Sequence, residues 1–210
     1  MGRPPRRGYH ESVQLSDQQQ SSLLKMACQS VREALAGSGK NPPACDDPVL
    51  RQPAGCFVSL HGLADHRLRG CVGRLEAENS LWDVVWVTAG NVLRDPRFQS
   101  NPVSIPELSS LSIELSILSP LRPAAHPLDF DPKEQGIYLM CAGRSGCFLP
   151  QVGRQTGWSR EQLLGRLCTE KMGLPSTFWM NAGALLQTFT ALVIGPVSFQ
   201  RAEAGSFEPA

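Results

Sequence analysis

Leu111-Ser112-Ile113-Glu114-Leu115-Ser116-Ile117-Leu118 alternates without a break between apolar and polar side chains. Successive side chains of a strand point to opposite faces, so Leu111, Ile113, Leu115 and Ile117 share one face, and Ser112, Glu114 and Ser116 the other. Strict alternation predicts a half-buried strand in an antiparallel or mixed sheet with one wetter face. Upstream, Cys56–Leu60 reads as a short strand, and Arg67–Gly73 as its hairpin partner after a turn over His61–His66. Downstream, Ile137–Ala142 and Cys147–Val152 read as two strands around Gly143-Arg144-Ser145-Gly146, and Leu185–Ile194 as a last strand.

Helical periods surround these strands. Ser16 with Gln19 three residues on forms a capping-box signature. Leu23, Leu24, Ala27, Val31, Ala34 and Leu35 follow at helical spacing, and Gly37 ends the run. Leu81 to Leu93 makes a second helix that opens near Asn79-Ser80 and stops before Asp95-Pro96. Ser104 with Glu107 marks one helical turn. Ser159 with Gln162 caps a third helix, lined by Leu163, Leu164, Leu167 and Cys168 and closed by Gly173. Residues 37–55, with four prolines and three glycines, read as a long loop, mobile or functional. Hairpins interleaved with helices predict an α+β fold: a mixed, largely antiparallel sheet flanked by helices. Residues 15–195 are expected to form the folded domain, with residues 1–14 a disordered leader and 196–210 a flexible tail.

The 210 residues are 41% hydrophobic and 19% charged, an ordinary globular composition that needs neither disulfide nor metal to fold. A net charge of +1 gives no electrostatic case for nucleic acid or anionic lipid. Arg6-Arg7 lacks the apolar run of an export signal, and no stretch approaches the roughly 20 apolar residues of a membrane helix. Seven cysteines, an odd number with no CxxC pair and no zinc-finger spacing, suit a reducing, cytoplasmic setting and imply no metal or cofactor. Cys141 and Cys147 are not expected to form a disulfide. Trp82, Trp86, Trp158 and Trp179 read as packing residues.

The chemistry concentrates in Arg67-Leu68-Arg69-Gly70-Cys71-Val72-Gly73. On a strand, Leu68, Gly70 and Val72 face the core, and Cys71 shares the other face with Arg67 and Arg69. A cation stabilises the thiolate, which is the nucleophile, so Cys71 is the candidate catalytic residue. Gly70 and Gly73 leave room for a ligand or a backbone to approach. The alternative is a thiol packed under a neighbouring element with both arginines in solvent. Arg97 either binds an anion bidentately or pairs with Asp95. The Gly143–Gly146 turn either forms an anion-binding nest with Arg144 and Ser145 or is an ordinary tight turn. His61 and His66 bracket the first hairpin loop, and either is a candidate base for Cys71. His10 and His126 carry no assignment.

Leu68-Arg69-Gly70-Cys71-Val72-Gly73 resembles the LRGC[IV]G signature of the AmmeMemoRadiSam system protein A family, also called the AMMECR domain. Asp95-Pro96-Arg97-Phe98, Leu115–Pro120 and Gly143–Val152 resemble further family stretches in the same order, and Trp158 and Lys171–Leu174 fit the region after them. Three features depart from the family pattern: the Trp- and Gly-bearing helix before Asp95, Met172 in place of a small residue, and the 37–55 loop. The resemblance covers about residues 16–195. It implies an α+β fold with a larger part from both chain ends, a smaller part from the middle, and motifs gathered near a cleft. It also implies association with a Memo-like protein and a radical SAM protein, and supplies no settled reaction. Three functions are therefore in view: an enzyme or enzyme subunit using Cys71 with Arg69, Arg97 and Arg144 on an anionic group; a non-catalytic module that docks such partners; and nucleic-acid binding.

Overall fold

Two four-stranded sheets, each with its own core, carry the fold in the computed structural model, which describes residues 13–76 and 78–205. Most of the expected leader lies outside the described residues, as do Arg6, Arg7 and His10. The chain divides into two compact units, one formed by Gln14–Leu118 together with the chain from Leu192 on, the other centred on Ser119–Ala191. No described helix is long and apolar enough to cross a membrane.

The discontinuous unit begins with α1 (Asp17–Leu35), where Ser16 and Gln19 form the expected capping box. It continues through β1 (Cys56–Gly62), β2 (Leu68–Arg74), α2 (Leu81–Asn91) and β3 (Leu111–Leu118). Short 3-10 turns over Val92–Arg94, Pro96–Phe98 and Pro106–Ser110 link α2 to β3. The sheet order is β2-β1-β3-β8, with β8 at Ala191–Ser198 and β1 antiparallel to both neighbours. Cys56, Val58, Leu60, Ile113, Leu115 and Ile117 are fully buried on one face. Leu23, Leu24, Ala27 and Val31 of α1 and Val84, Val85 and Ala89 of α2 complete the core of this unit. Gly90 admits Ser30 and Ala34 of α1 to within van der Waals contact of α2, and the Ser30 hydroxyl donates to the Trp86 carbonyl at 2.6 Å. The unusual composition of α2 thus serves helix packing.

Three expectations are corrected here. The second face of β3 is not wet: Ser112 and Ser116 are buried and Glu114 half-buried. Its serines remain satisfied; Ser112, for example, donates to the His61 carbonyl. The 37–55 loop is held in place. The Trp82 indole donates to the Pro43 carbonyl, Asp47 accepts from Gln19, and Leu50 is buried. Residues 196–204 are not a loose tail. They complete β8 and form α5 (Phe199–Ala204), whose Phe199 and Ala202 are buried and whose Glu203 pairs with Arg32 of α1.

The other unit holds the sheet order β4-β7-β5-β6: β4 (Arg122–Pro123), β5 (Gly136–Cys141), β6 (Arg144–Phe148) and β7 (Leu185–Phe189). Between β6 and β7 lie α3 (Pro150–Thr156), α4 (Arg160–Arg166) and one π-helical turn over Leu167–Lys171. Ile137, Leu139, Phe148, Leu163, Leu164, Leu167 and Trp179 form its core. The second hairpin differs from expectation. Its turn is only Ala142-Gly143, both with positive φ, which matches the right-handed twist of a two-residue hairpin. The strand that follows stops at Phe148, since Pro150 opens α3. The ends of this unit meet: Ser119 N–H donates to the Thr190 carbonyl at 3.0 Å, and Thr190 N–H to the Ser119 hydroxyl at 2.9 Å.

Candidate functional site

β2 is the edge strand of its sheet, so one side of its backbone has no strand partner. At Cys71 the Asp95-Pro96-Arg97 turn takes that place. The Cys71 N–H donates to Asp95 Oδ2 at 2.9 Å, and Arg97 Nη2 donates to the Cys71 carbonyl at 3.2 Å. Asp95 is buried and also accepts from Arg97 Nε at 3.0 Å and Nη2 at 2.6 Å, while its side chain caps the turn through the Arg97 N–H. The Arg97 guanidinium, with the Cys71 and Arg97 N–H groups, outweighs burial and holds the Asp95 carboxyl down at about 2. Arg97 is itself held protonated, foremost by Asp95 and additionally by the Cys71 side chain, which lies within its reach. The guanidinium beside the thiol is therefore that of Arg97.

Arg69 is engaged elsewhere. It forms a fork on Glu107, with Nε–Oε1 at 2.6 Å and Nη2–Oε2 at 3.1 Å, and reaches the Asn101 carbonyl. The pair raises the arginine pKa and lowers that of the carboxylate. The two glycines of the motif do not open space for a ligand. A Cβ on Gly70 would lie 2.8 Å from the Val92 carbonyl, and one on Gly73 would lie 2.3 Å from the Phe57 ring. Both are close-packing positions. Because Gly70 faces Val92, Cys71 projects from the opposite face.

That face has a composition that single-strand reading did not reveal. The register places Cys71 opposite Ser59 and Ser59 opposite Glu114, so the three form one row across β2, β1 and β3. Since the Cys71 N–H and carbonyl are occupied by Asp95 and Arg97, Cys71 and Ser59 form a non-hydrogen-bonded pair, the type in which side chains approach closest. His61 lies beyond a bulge, opposite Leu68 and Ser112, two residues along β1 from Ser59. It is half-buried.

Arg144 and Ser145 belong to the other unit. They lie within β6 and form no nest: Arg144 pairs with Cys141 and Ser145 with Met140. Arg144 Nη1 donates to the carbonyls of Met172 at 2.7 Å and Gly173 at 2.9 Å, capping the helical end there. A Cβ on Gly146 would collide with Lys171, so this glycine serves packing, not turning. Cys147 sits opposite Tyr138, on the face away from Cys141.

The cysteines fall into two kinds. Burial pushes Cys28 and Cys56 up to about 12 and raises Cys168, which keeps these groups as inert thiols. Cys71 is only half-buried. Among the described residues, no three His, Cys, Asp or Glu side chains are grouped as a metal site would require.

A family model, AMMECR1, matches residues 24–194. The chain belongs to the AMMECR1 family. Protein MJ0810 of Methanocaldococcus jannaschii is 34% identical over 156 residues, covering 71% of this chain and 76% of that protein. A protein of Methanothermobacter thermautotrophicus is 32% identical over 188 residues, covering 85% and 95%. The crystal structure of an uncharacterized protein, PH0010 from Pyrococcus horikoshii, superposes with a TM-score of 0.77 at 28% identity over 85% of this chain and 92% of that one. The AMMECR1 match takes in Cys71, Asp95, Arg97, Glu114 and Arg144, so every candidate site residue lies inside the family domain. None of these names carries a reaction.

Proposed function

We propose that this AMMECR1 domain is the thiol-bearing component of an AmmeMemoRadiSam-type system in the cytoplasm. It acts as an enzyme or enzyme subunit in which Cys71 is the nucleophile or carries the substrate. The observation that supports this reading is the Arg97 guanidinium, locked by buried Asp95, beside a half-exposed Cys71 thiol. The fixed guanidinium offers a hydrogen-bonding edge to an anionic group of a ligand that the thiol would attack or carry. Arg69 and Arg144 are each held by structural partners of their own, Glu107 and the carbonyls of Met172 and Gly173. The test is alkylation by iodoacetamide at pH 7–9, followed peptide by peptide by mass spectrometry. Cys71 is expected to react at least tenfold faster than Cys28, Cys56 and Cys168, and Arg97→Ala to slow it several-fold. A Cys71 as inert as Cys56 overturns the proposal.

One observation favours a second reading, the docking module. A groove of 720 Å³ in the Ser119–Ala191 unit is lined by Leu128, Met140, Trp179 and Leu186. Met180 and Leu185 at its rim are 63% and 62% exposed. Exposed apolar side chains around a groove mark interaction surfaces. A Memo-like or radical SAM protein is the expected partner. Co-elution of the pure proteins, lost on Met180→Asp or Leu185→Asp, supports docking; separate elution counts against it.

A further inference from the structure

The connection between β4 and β5 is a fixed loop beside a charged cavity. Residues 124–135 contain no helix or strand, a length at which connections in compact domains are commonly functional. The loop is nevertheless held by its own side chains. Asp129 Oδ2 accepts from the Ala125 N–H at 3.3 Å, His126 Nδ1 from the Leu128 N–H at 3.2 Å, and Asp131 Oδ1 from the Lys133 N–H at 2.8 Å. Gln135 ties its end to the sheet, accepting from the Asp131 N–H at 2.7 Å and donating to the Thr188 hydroxyl at 3.5 Å. A wall held in this way is in place before a ligand arrives, which spares the cost of ordering it.

The cavity measures 800 Å³, the size of a small-molecule site, and lies within the Ser119–Ala191 unit. Arg122 of β4, Asp129 and Asp131 of the loop, and Arg160 at the start of α4 line it, together with Leu128 and Phe130. None of the four charged side chains lines the apolar groove of the same unit. Among the described residues, none of the four forms an ion pair. Arg160 donates through Nε to the Phe130 carbonyl at 2.6 Å, which anchors the guanidinium and leaves both Nη groups to a ligand. Each aspartate gives one oxygen to the loop and keeps the other. Charges held around a concave, partly apolar surface concentrate their field on whatever enters it.

The signs decide the ligand. Two positive and two negative groups cancel, so a simple anion drawn by the arginines would meet two carboxylates, and a simple cation the reverse. A molecule with both charges satisfies all four. A guanidinium takes a carboxylate through paired N–H groups, and an ammonium offers three donors to carboxylate oxygens. We infer that this cavity binds a small zwitterion of the α-amino-acid class, its carboxylate held by Arg122 and Arg160, its ammonium by Asp129 and Asp131, and its side group against Leu128 and Phe130. The site makes no use of Cys71 and stands or falls apart from the thiol proposal.

Saturation-transfer NMR of the full chain at pH 7.5, with each of the standard L-amino acids, tests this. Any that binds is compared with its N-acetyl derivative, which lacks the positive charge, and its carboxamide, which lacks the negative one. The expected result is that at least one L-amino acid binds, that each blocked derivative binds at least fivefold more weakly, and that Arg122→Gln and Asp129→Asn each weaken binding at least as much. Both side chains are exposed and Asn keeps an oxygen for the Ala125 N–H, so unchanged far-UV circular dichroism is expected of the variants. Absence of binding by every amino acid overturns the inference. So does binding that either blocked derivative retains, a result read on the intact protein whatever the variants do, and so does binding kept in both folded variants, which places the ligand elsewhere.

Discussion

At the scale of single residues, Asp95 is the pivot. Its carboxylate accepts from the Cys71 N–H, caps its own turn and pairs with Arg97, so one buried group fixes the edge strand and the guanidinium together. Its pKa of about 2 in the folded protein lies below its ordinary value of 3.8. A depressed carboxyl contributes stability that is fully present above about pH 4 and is lost as pH falls from about 4 to 2. The shift corresponds to about 2 kcal/mol. Asp95→Asn is therefore expected to lower stability by about that amount at pH 7 and to flatten the pH dependence below pH 4. Urea titrations of both proteins at pH 7 and pH 3 check this. The same residue shows how sequence reading falls short. Asp95 was legible as a helix stop and as a partner for Arg97, but its bond to the backbone of Cys71 depends on a turn meeting a strand 24 residues away.

At the scale of elements, local chemistry was legible and cross-strand chemistry was not. The capping boxes at Ser16 and Ser159, the end of α2 before Pro96, and the strand at 111–118 follow from patterns within a few residues. The burial of the polar face of β3 does not, because alternation reports the period of a strand and not what covers its faces. The row of Cys71, Ser59 and Glu114 joins three segments far apart in sequence, so no motif contains it. Arg144 is a similar case. Its neighbours Gly143 and Ser145 suggested an anion nest, whereas the two-residue turn moves Arg144 into β6 and its side chain onto the carbonyls of Met172 and Gly173. Arg144→Ala is expected to cost about 1–2 kcal/mol through loss of two charge-assisted hydrogen bonds at a partly exposed site. Hydrogen exchange should rise most at Met172 and Leu174, whose N–H groups bond back to Leu167 and Cys168.

At the scale of the whole molecule, the α+β class was legible from hairpins interleaved with helices, but the division of strands into two sheets was not. The order of strands within a sheet depends on long-range pairing, and β8 joins β3 across the whole second unit. The last described stretch matters for the same reason. Phe199 is 1% exposed, and α5 packs on α1 and β3. Phe199→Ala is expected to destabilise the discontinuous unit by about 3–5 kcal/mol. A loose tail would make the same change neutral. Chemical denaturation monitored at the tryptophans of α2, against Trp158 and Trp179 in the other unit, separates the two outcomes.

The meeting of Ser119 with Thr190 has a consequence during synthesis. A segment whose two ends close on each other is complete once its last residue leaves the ribosome, and Ser119–Ala191 fits that description. The sheet begun by β1, β2 and β3 must instead wait for β8, the newest chain to emerge. At about 5–20 residues per second, that delay lasts roughly 5–15 s. For that interval the nascent protein carries a three-stranded sheet with one side of β3 unpaired, a state in which chaperones, or another nascent chain, compete with β8 for the same edge.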